Sequence, residues 1–242
     1  MTDGFDETFA YAERLFAEKH YPEAISRYRK AAYAGHAPSQ CRMGECYYKG
    51  LGVKNHPTEA INWLKQASDQ GYDQGTYLLA HLYEHCFGWN TYGDQAFQLY
   101  AKAAQNGHPA SCSALGLCSR AGLGTDQNLD LAAKWFKRAA ELGDPDGQFR
   151  LACCYRDGII LDPDPESAYI WFYKAAEQGH MEGMYRLGMA HLSGEGVQKN
   201  EQLALAWLER AAAAGHIEAM CSLGFCRLFP LYSLAFRLVK AA

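Results

Sequence analysis

The sequence predicts an all-α fold, a solenoid of antiparallel helix pairs with a 36-residue repeat, and three observations carry that prediction. Six glycines, Gly35, Gly71, Gly107, Gly143, Gly179 and Gly215, recur at a spacing of 36. Each follows by four residues an alanine of one register: Ala31, Ala67, Ala103, Ala139, Ala175 and Ala211. A second alanine series, Ala24, Ala60, Ala96, Ala132, Ala168 and Ala204, keeps the same interval. One period running through nearly all of a 242-residue chain describes an array of one small unit, not a globule built around a pocket.

Each period holds two helical patterns. The first carries a large apolar residue followed by a small one: Met43-Gly44, Leu79-Ala80, Leu115-Gly116, Leu151-Ala152, Leu187-Gly188 and Leu223-Gly224. The small residue admits a neighbouring helix while its partner fills the core. Glycine inside a helix costs ~1 kcal/mol against alanine, so close packing has to compensate. The second pattern places Ala24, Tyr28 and Ala31 at i, i+4 and i+7, a spacing that marks one helical face. Its equivalents run from Ala60-Leu64-Ala67 to Ala204-Leu208-Ala211, with Trp63, Trp135, Trp171 and Trp207 adding bulk at one further position.

Boundary signals agree. Asn128, Asp164 and Asn200 share a register that suits the N-cap of the second helix. Pro57 and Pro165 follow in the first turn, where proline is tolerated. The repeat glycines fit the left-handed residue just past the helix end, and Pro38, Pro109 and Pro145 start the next helix. Between the two helices lie glycine turns: Gly50-Leu51-Gly52-Val53, Gly122-Leu123-Gly124-Thr125 and Gly194-Glu195-Gly196-Val197. They lack the preceding strand and third glycine of a dinucleotide-binding loop.

Composition narrows function. A net charge of −4, from 23 basic and 27 acidic residues, leaves no excess of cations for a phosphate backbone and argues against nucleic acid. Residues 1–7 lack the basic start and apolar run of a secretory signal. No apolar stretch approaches the ~20 residues that span a bilayer, and Leu228 to Phe236 is interrupted by Pro230. The expectation is a soluble, cytoplasmic protein without membrane insertion. None of the nine cysteines forms a C-x-x-C pair. Cys46, Cys118, Cys154 and Cys226 share a register with Leu82 and Ala190, as reduced structural thiols in an apolar packing position would.

The chain resembles the Sel-one-like repeats (SLR), a branch of the tetratricopeptide-like α-solenoids. The residues that carry the resemblance are Leu187-Gly188, Gly194-x-Gly196-Val197, Ala204-x-x-Trp207-Leu208, Ala211-Ala212 and Gly215-His216, echoed from Met43-Gly44 to Gly71. The resemblance covers roughly residues 37 to 227. It implies a right-handed superhelical stack: a tetratricopeptide-like hairpin at 1–36, five tandem repeats at 37–216, and a partial repeat with a capping helix at 217–242. Three places depart from the pattern. From Ala12 to Ala24 the first unit is four residues short and lacks the glycine turn. The third unit carries Cys86-Phe87-Gly88-Trp89 where the turn should lie, with Trp89 and Tyr92 read as an aromatic loop. The fifth has an apolar turn, Ile159-Ile160-Leu161.

The resemblance also implies a non-catalytic scaffold or adaptor, with the first helix of each pair lining a concave groove. By register the lining includes Cys41, Glu45, Tyr48, Lys49, Tyr77, His81, Glu84, His85, Leu117, Arg120, Phe149, Arg156, Tyr185, Met189 and Leu192. This mixture of aromatic, cationic and apolar groups is typical of interface centres. Tyr48, Tyr77, His81, Glu84, Arg120, Phe149, Arg156, Tyr185 and Met189 are the candidate partner-binding residues, for a protein or peptide ligand. No cofactor is implied. An alternative is a secreted or translocated bacterial factor using the same surface on a host target. A remoter alternative is zinc-dependent hydrolysis at His81-Leu82-Tyr83-Glu84-His85, an H-x-x-E-H pattern whose imidazoles lie four apart on a helix with Glu84 beside them. The motif falls at ordinary positions of the repeat, and no third ligand is identifiable. His36, His108, His180 and His216 each follow a repeat glycine, a placement that reads as a helix-junction role. The apolar C-terminal run around Leu231, Tyr232, Phe236 and Leu238 leaves open either self-association or a lid on the last hairpin.

Overall fold

The computed structural model describes residues 3–158 and 161–228, and among these it contains thirteen α-helices, one π-helical turn and no strand. The helices are α1 (Asp3–Ala17), α2 (Tyr21–Tyr33), α3 (Ala37–Lys49), α4 (Pro57–Asp69), α5 (Asp73–Leu82), α6 (Trp89–Gln105) and α7 (Pro109–Ala121). They continue as α8 (Leu129–Glu141), α9 (Pro145–Asp157), α10 (Pro165–Glu177), α11 (Met181–Ser193), α12 (Glu201–Ala213) and α13 (Ile217–Leu228). Odd-numbered helices are the first of each pair and are termed A helices; even-numbered ones are B helices. The chain divides within α8 into two compact units, Met1–Ala132 and Ala133–Ala242. In unit 1, α1 to α7 pack in consecutive order, with α3 also touching α5. In unit 2, α9 to α13 do the same. This succession of hairpins with a repeating pitch is the solenoid that the 36-residue period predicts.

The alanine registers explain the pitch. Ala24, Ala60, Ala96, Ala132 and Ala204 are wholly buried, as are Ala67, Ala103, Ala139, Ala175 and Ala211. Methyl-sized side chains at these places let A and B helices approach closely, and the intrahelical glycines complete the fit. A methyl group at Gly44 would stand 2.5 Å from Leu64 Cγ, and one at Gly188 2.7 Å from Leu208 Cγ. Around these contacts lie the bulky residues. Leu15, Ile25, Tyr28, Met43 and Trp63 form one core cluster of unit 1. Phe172, Met184, Leu187, Trp207 and Leu208 belong to the core of unit 2.

Every B helix of the first six pairs ends in the same motif. Gly35 N–H donates to Ala32 O and His36 N–H to Ala31 O, and the pair recurs at Gly71/Tyr72, Gly107/His108, Gly143/Asp144, Gly179/His180 and Gly215/His216. This is the Schellman termination, which needs a residue with positive φ just past the helix; the six glycines have φ between +80° and +98°. The short first turn obeys the same rule with a different residue. Lys19, at φ +63°, takes the left-handed place, with Lys19 N–H on Phe16 O and His20 N–H on Leu15 O. Asn128, Asp164 and Asn200 cap the B helices as expected, accepting from Leu131, Ser167 and Leu203 N–H.

The third pair differs from the expectation of an aromatic loop. A π-helical turn, Tyr83–Phe87, runs on from α5, and α6 begins at Trp89 as the longest helix described, 17 residues. Tyr92 lies in its first turn and stacks on Tyr83, ring centroids 4.9 Å apart. This pair lacks the glycine turn, and Gly88, at φ +76°, follows the π-turn. Eight cysteines among the described residues carry free thiols, with Cys46, Cys118 and Cys154 buried at their shared position. Ile159, Ile160 and the C-terminal run from Phe229 onward, with the self-association read from it, lie outside the described residues.

Candidate functional site

The A-helix faces are built from the helix junctions upward. Each residue after a repeat glycine is also the N-cap of the next A helix. His108 Nδ1 accepts from Ser111 N–H at 3.2 Å, His180 Nδ1 from Gly183 N–H at 3.0 Å and His216 Nδ1 from Ala219 N–H at 3.1 Å. Asp144 does the same with a carboxylate oxygen, 2.7 Å from Gly147 N. A ring that accepts at Nδ1 carries its proton on Nε2, and that proton reaches the preceding pair, 34 residues back: Gln74 for His108, Asp146 for His180, Glu182 for His216. His36 reaches Asp6 across only 30 residues, because the first unit is four residues short. The bond from His180 holds the Asp146 carboxyl below the usual carboxylate range. Burial opposes the charge on Glu182, but the His216 bond and Arg186 outweigh it and keep this carboxyl low as well.

These histidines also organise the aromatics expected in the groove. Tyr77 stacks on His108 (centroids 5.0 Å apart), Phe149 on His180 (4.6 Å) and Tyr185 on His216 (4.5 Å). One face of each ring is therefore taken by the junction of the next pair, and Phe149 is left only 8 % exposed.

In unit 1 the A-helix residues assemble as follows. Cys41 is buried. Glu45 takes Lys49 Nζ at 2.8 Å and Arg42 at 2.6 Å; although burial opposes its charge, the two cations hold its carboxyl low. Tyr48 meets His81 edge-on at 6.1 Å, and Tyr77 lies 6.1 Å from the same ring. His81 and His85 stack face to face, 3.9 Å and 14° apart, and His85 Nδ1 donates to His81 O. Burial and the neighbouring His85 lower the pKa of His81, which favours its neutral form. The Glu84 carboxylate accepts from Tyr100 OH at 2.7 Å. Face-to-face rings send their in-plane lone pairs side by side instead of toward one point, and Glu84 is engaged elsewhere. No group of three or more His, Cys, Asp or Glu among the described residues is placed to hold a metal. Leu117 is half-buried and Arg120 exposed on α7.

In unit 2, Arg156 lies over the Phe172 ring with its Nε on Asp157 at 2.7 Å. Tyr185 and Leu192 pack against the core cluster, and Met189 is half-buried on the same helix. Two clefts, of about 740 and 650 Å³, lie in unit 1 along α1, α2 and α4; none of the predicted site residues lines either. No described helix is long and apolar enough to cross a membrane.

A further set of residues escaped the sequence reading. Arg42, Arg150 and Arg186 share one register. Arg42 is the hub of unit 1, with its Nε and one terminal nitrogen on the two oxygens of Glu13 at 2.8 and 2.5 Å and the other on Glu45. The recurrence of arginine at that register was the available signal.

The Sel1 repeat family model matches five stretches, residues 37–72, 74–108, 109–144, 145–180 and 182–216. Among solved structures, the chain is similar to a Sel1 repeat protein from Oxalobacter formigenes: 28% identity over 90% of this chain and 89% of that one, TM-score 0.80. It is also similar to a protective antigen of uropathogenic Escherichia coli displaying an SLR fold: 30% identity, TM-score 0.70, covering 92% of this chain but 48% of that protein. An immunity protein from Pseudomonas aeruginosa shares the fold at 17% identity and TM-score 0.63, over 87% of this chain and 81% of that one. No curated protein matches the chain.

Proposed function

The chain belongs to the Sel1 repeat family, and from that premise we propose that it is a non-catalytic scaffold or adaptor holding a protein or peptide partner against its A-helix faces. Sel1 repeat proteins are in general protein-interaction scaffolds, and the family is generally non-enzymatic. The observation that carries the proposal is the division of labour within the repeat. The strict registers are consumed by packing, while Tyr48, Tyr77, His81, Glu84 and Arg120 in unit 1, and Arg156, Tyr185 and Met189 in unit 2, keep partly exposed polar, aromatic or apolar surface on A helices. Half-buried aromatics and arginines of this kind are where binding energy concentrates. We place the protein in the cytoplasm.

A photo-crosslinking residue introduced at Tyr48 or Met189 should trap a protein partner in cells of the source organism. The same residue at Tyr33 or Ile170, on exposed B-helix surface, should not. Adducts only from the B-helix positions would reject the proposal. A second reading, a secreted host-interaction factor using the same surface, draws on the likeness to the E. coli protective antigen. Fractionation separates the two: the chain found outside the cell supports the second, and retention in the cytoplasm the first.

A further inference from the structure

Arg42 shows what its register requires. Its guanidinium forks onto Glu13 of the preceding A helix, takes Glu45 of its own, and lies 5.7 Å from the Phe16 ring. Arg150 on α9 and Arg186 on α11 stand at the same register three and four periods on, again beside aromatic rings, at 5.8 Å from Phe149 and 5.5 Å from Tyr185. The carboxylates are not repeated. The register of Glu13 and Glu45 is filled by Cys153 on α9 and Met189 on α11. The Nε atoms of Arg150 and Arg186 are consequently buried with no hydrogen-bond partner. A buried donor left unsatisfied is costly, more so on a charged group, and a planar guanidinium is completed best by a carboxylate taken in two-point fashion.

The carboxylates already nearby are committed. Glu182 binds Arg186 at 2.8 Å but also His216 at 2.7 Å, Asp157 binds Arg156, and Asp146 binds His180. Cys153 sits among three guanidiniums, Arg156, Arg186 and Arg150, each of which favours its thiolate, although burial prevails and raises its pKa.

We infer that the A-helix face of unit 2 takes an acidic segment of the protein partner, whose carboxylates meet the half-exposed guanidinium ends of Arg150 and Arg186. This rests on the scaffold reading above and adds the chemistry of the ligand. Tyr185 and Met189, half-buried on the same helix as Arg186, supply apolar contact beside it. The net charge of −4 sets this site apart from a general polyanion surface.

The test uses the full chain and a fluorescent peptide of about twelve residues with glutamate at every third position among glycine and serine. Its glutamine counterpart is the control, and both are followed by anisotropy at about 0.15 M salt. The glutamate peptide should bind at least about tenfold more tightly than the glutamine one. Arg150→Gln with Arg186→Gln should remove that preference without loss of helical content, and Lys30→Gln with Lys65→Gln, on B helices of unit 1, should leave it intact. Cys153→Glu supplies the carboxylate from within, so it should weaken peptide binding while raising the melting temperature. Equal affinity for the two peptides, a preference that survives the double arginine change, or tighter binding of an oligothymidylate overturns the inference. If A-helix crosslinks still trap a partner in that event, only the acidic ligand falls; if they too are absent, the scaffold reading falls with it.

Discussion

The second glycine of each turn between paired helices is a stacking joint, and Gly196 tests this most sharply. It stands at φ +68°, and a methyl group there would overlap the carbonyl oxygen of Pro165, with Glu166 N at 3.1 Å. Those are backbone atoms in the first turn of α10, so no side-chain rotation relieves the clash; α10 would have to move off the α11–α12 turn. Gly215 supplies the control, because it has φ +98° and nothing within 4 Å of the added methyl. An L-residue in the left-handed region costs roughly 1–2 kcal/mol at either place, and overpacking adds about 1–3 kcal/mol at Gly196 alone. Gly196→Ala should thus lose about 2–5 kcal/mol and Gly215→Ala about 1–2. At about 2–4 °C per kcal/mol for a chain of this size, thermal unfolding followed by circular dichroism separates the two. Trp171 and Trp207 fluorescence provides a second probe within unit 2. Equal losses in the two variants would show that the Pro165 contact is not a fixed joint between successive hairpins.

Other expectations follow from the junctions and the arginine hub. His216→Ala removes the cap on Ala219, the bond to Glu182 and the stack on Tyr185, and should cost about 1–3 kcal/mol in urea unfolding; His216→Asn, which keeps a capping oxygen, should recover about 1 kcal/mol. The folded pKa of Asp146 is depressed, so its stabilising effect is complete above the unfolded value near ~4 and is lost as pH falls through the folded one. Melting temperatures measured between about pH 5 and pH 2 should therefore fall less steeply in Asp146→Asn than in the parent chain. Arg42→Gln removes the two-point bond to Glu13, which keeps Tyr28 OH, and one of the two cations on Glu45, which keeps Lys49; because all three groups are partly exposed the loss should be about 1–2 kcal/mol by chemical denaturation.

Much of the architecture was legible because its causes are local. A glycine with positive φ, an asparagine capping three residues ahead and an alanine every period act within one or two turns of chain, and the 36-residue interval copies each of them. The third pair was misread as a loop because the pattern identifies a missing glycine turn but not what replaces it, here a π-turn at Tyr83–Phe87 with Tyr83 stacked on Tyr92. For the binding face, register located the A-helix residues but not what occupies them. Tyr77, Phe149 and Tyr185 sit where register places them, yet each lends a face to a histidine 31 residues further on. His81 and His85 read as a ligand pair from their spacing and stack instead.

By itself the chain determined the helix pair, its period, its terminations and its family, since these rest on backbone preferences and short-range spacing repeated in one register. Only packing decided which charged groups find partners. Arg42, Arg150 and Arg186 are the same residue at the same step, yet Arg42 Nε meets Glu13 of the neighbouring A helix while the Nε atoms of Arg150 and Arg186 meet no acceptor. Hydrogen bonds join groups in space, so the difference between a satisfied Nε and an unsatisfied one exists only once the helices lie side by side.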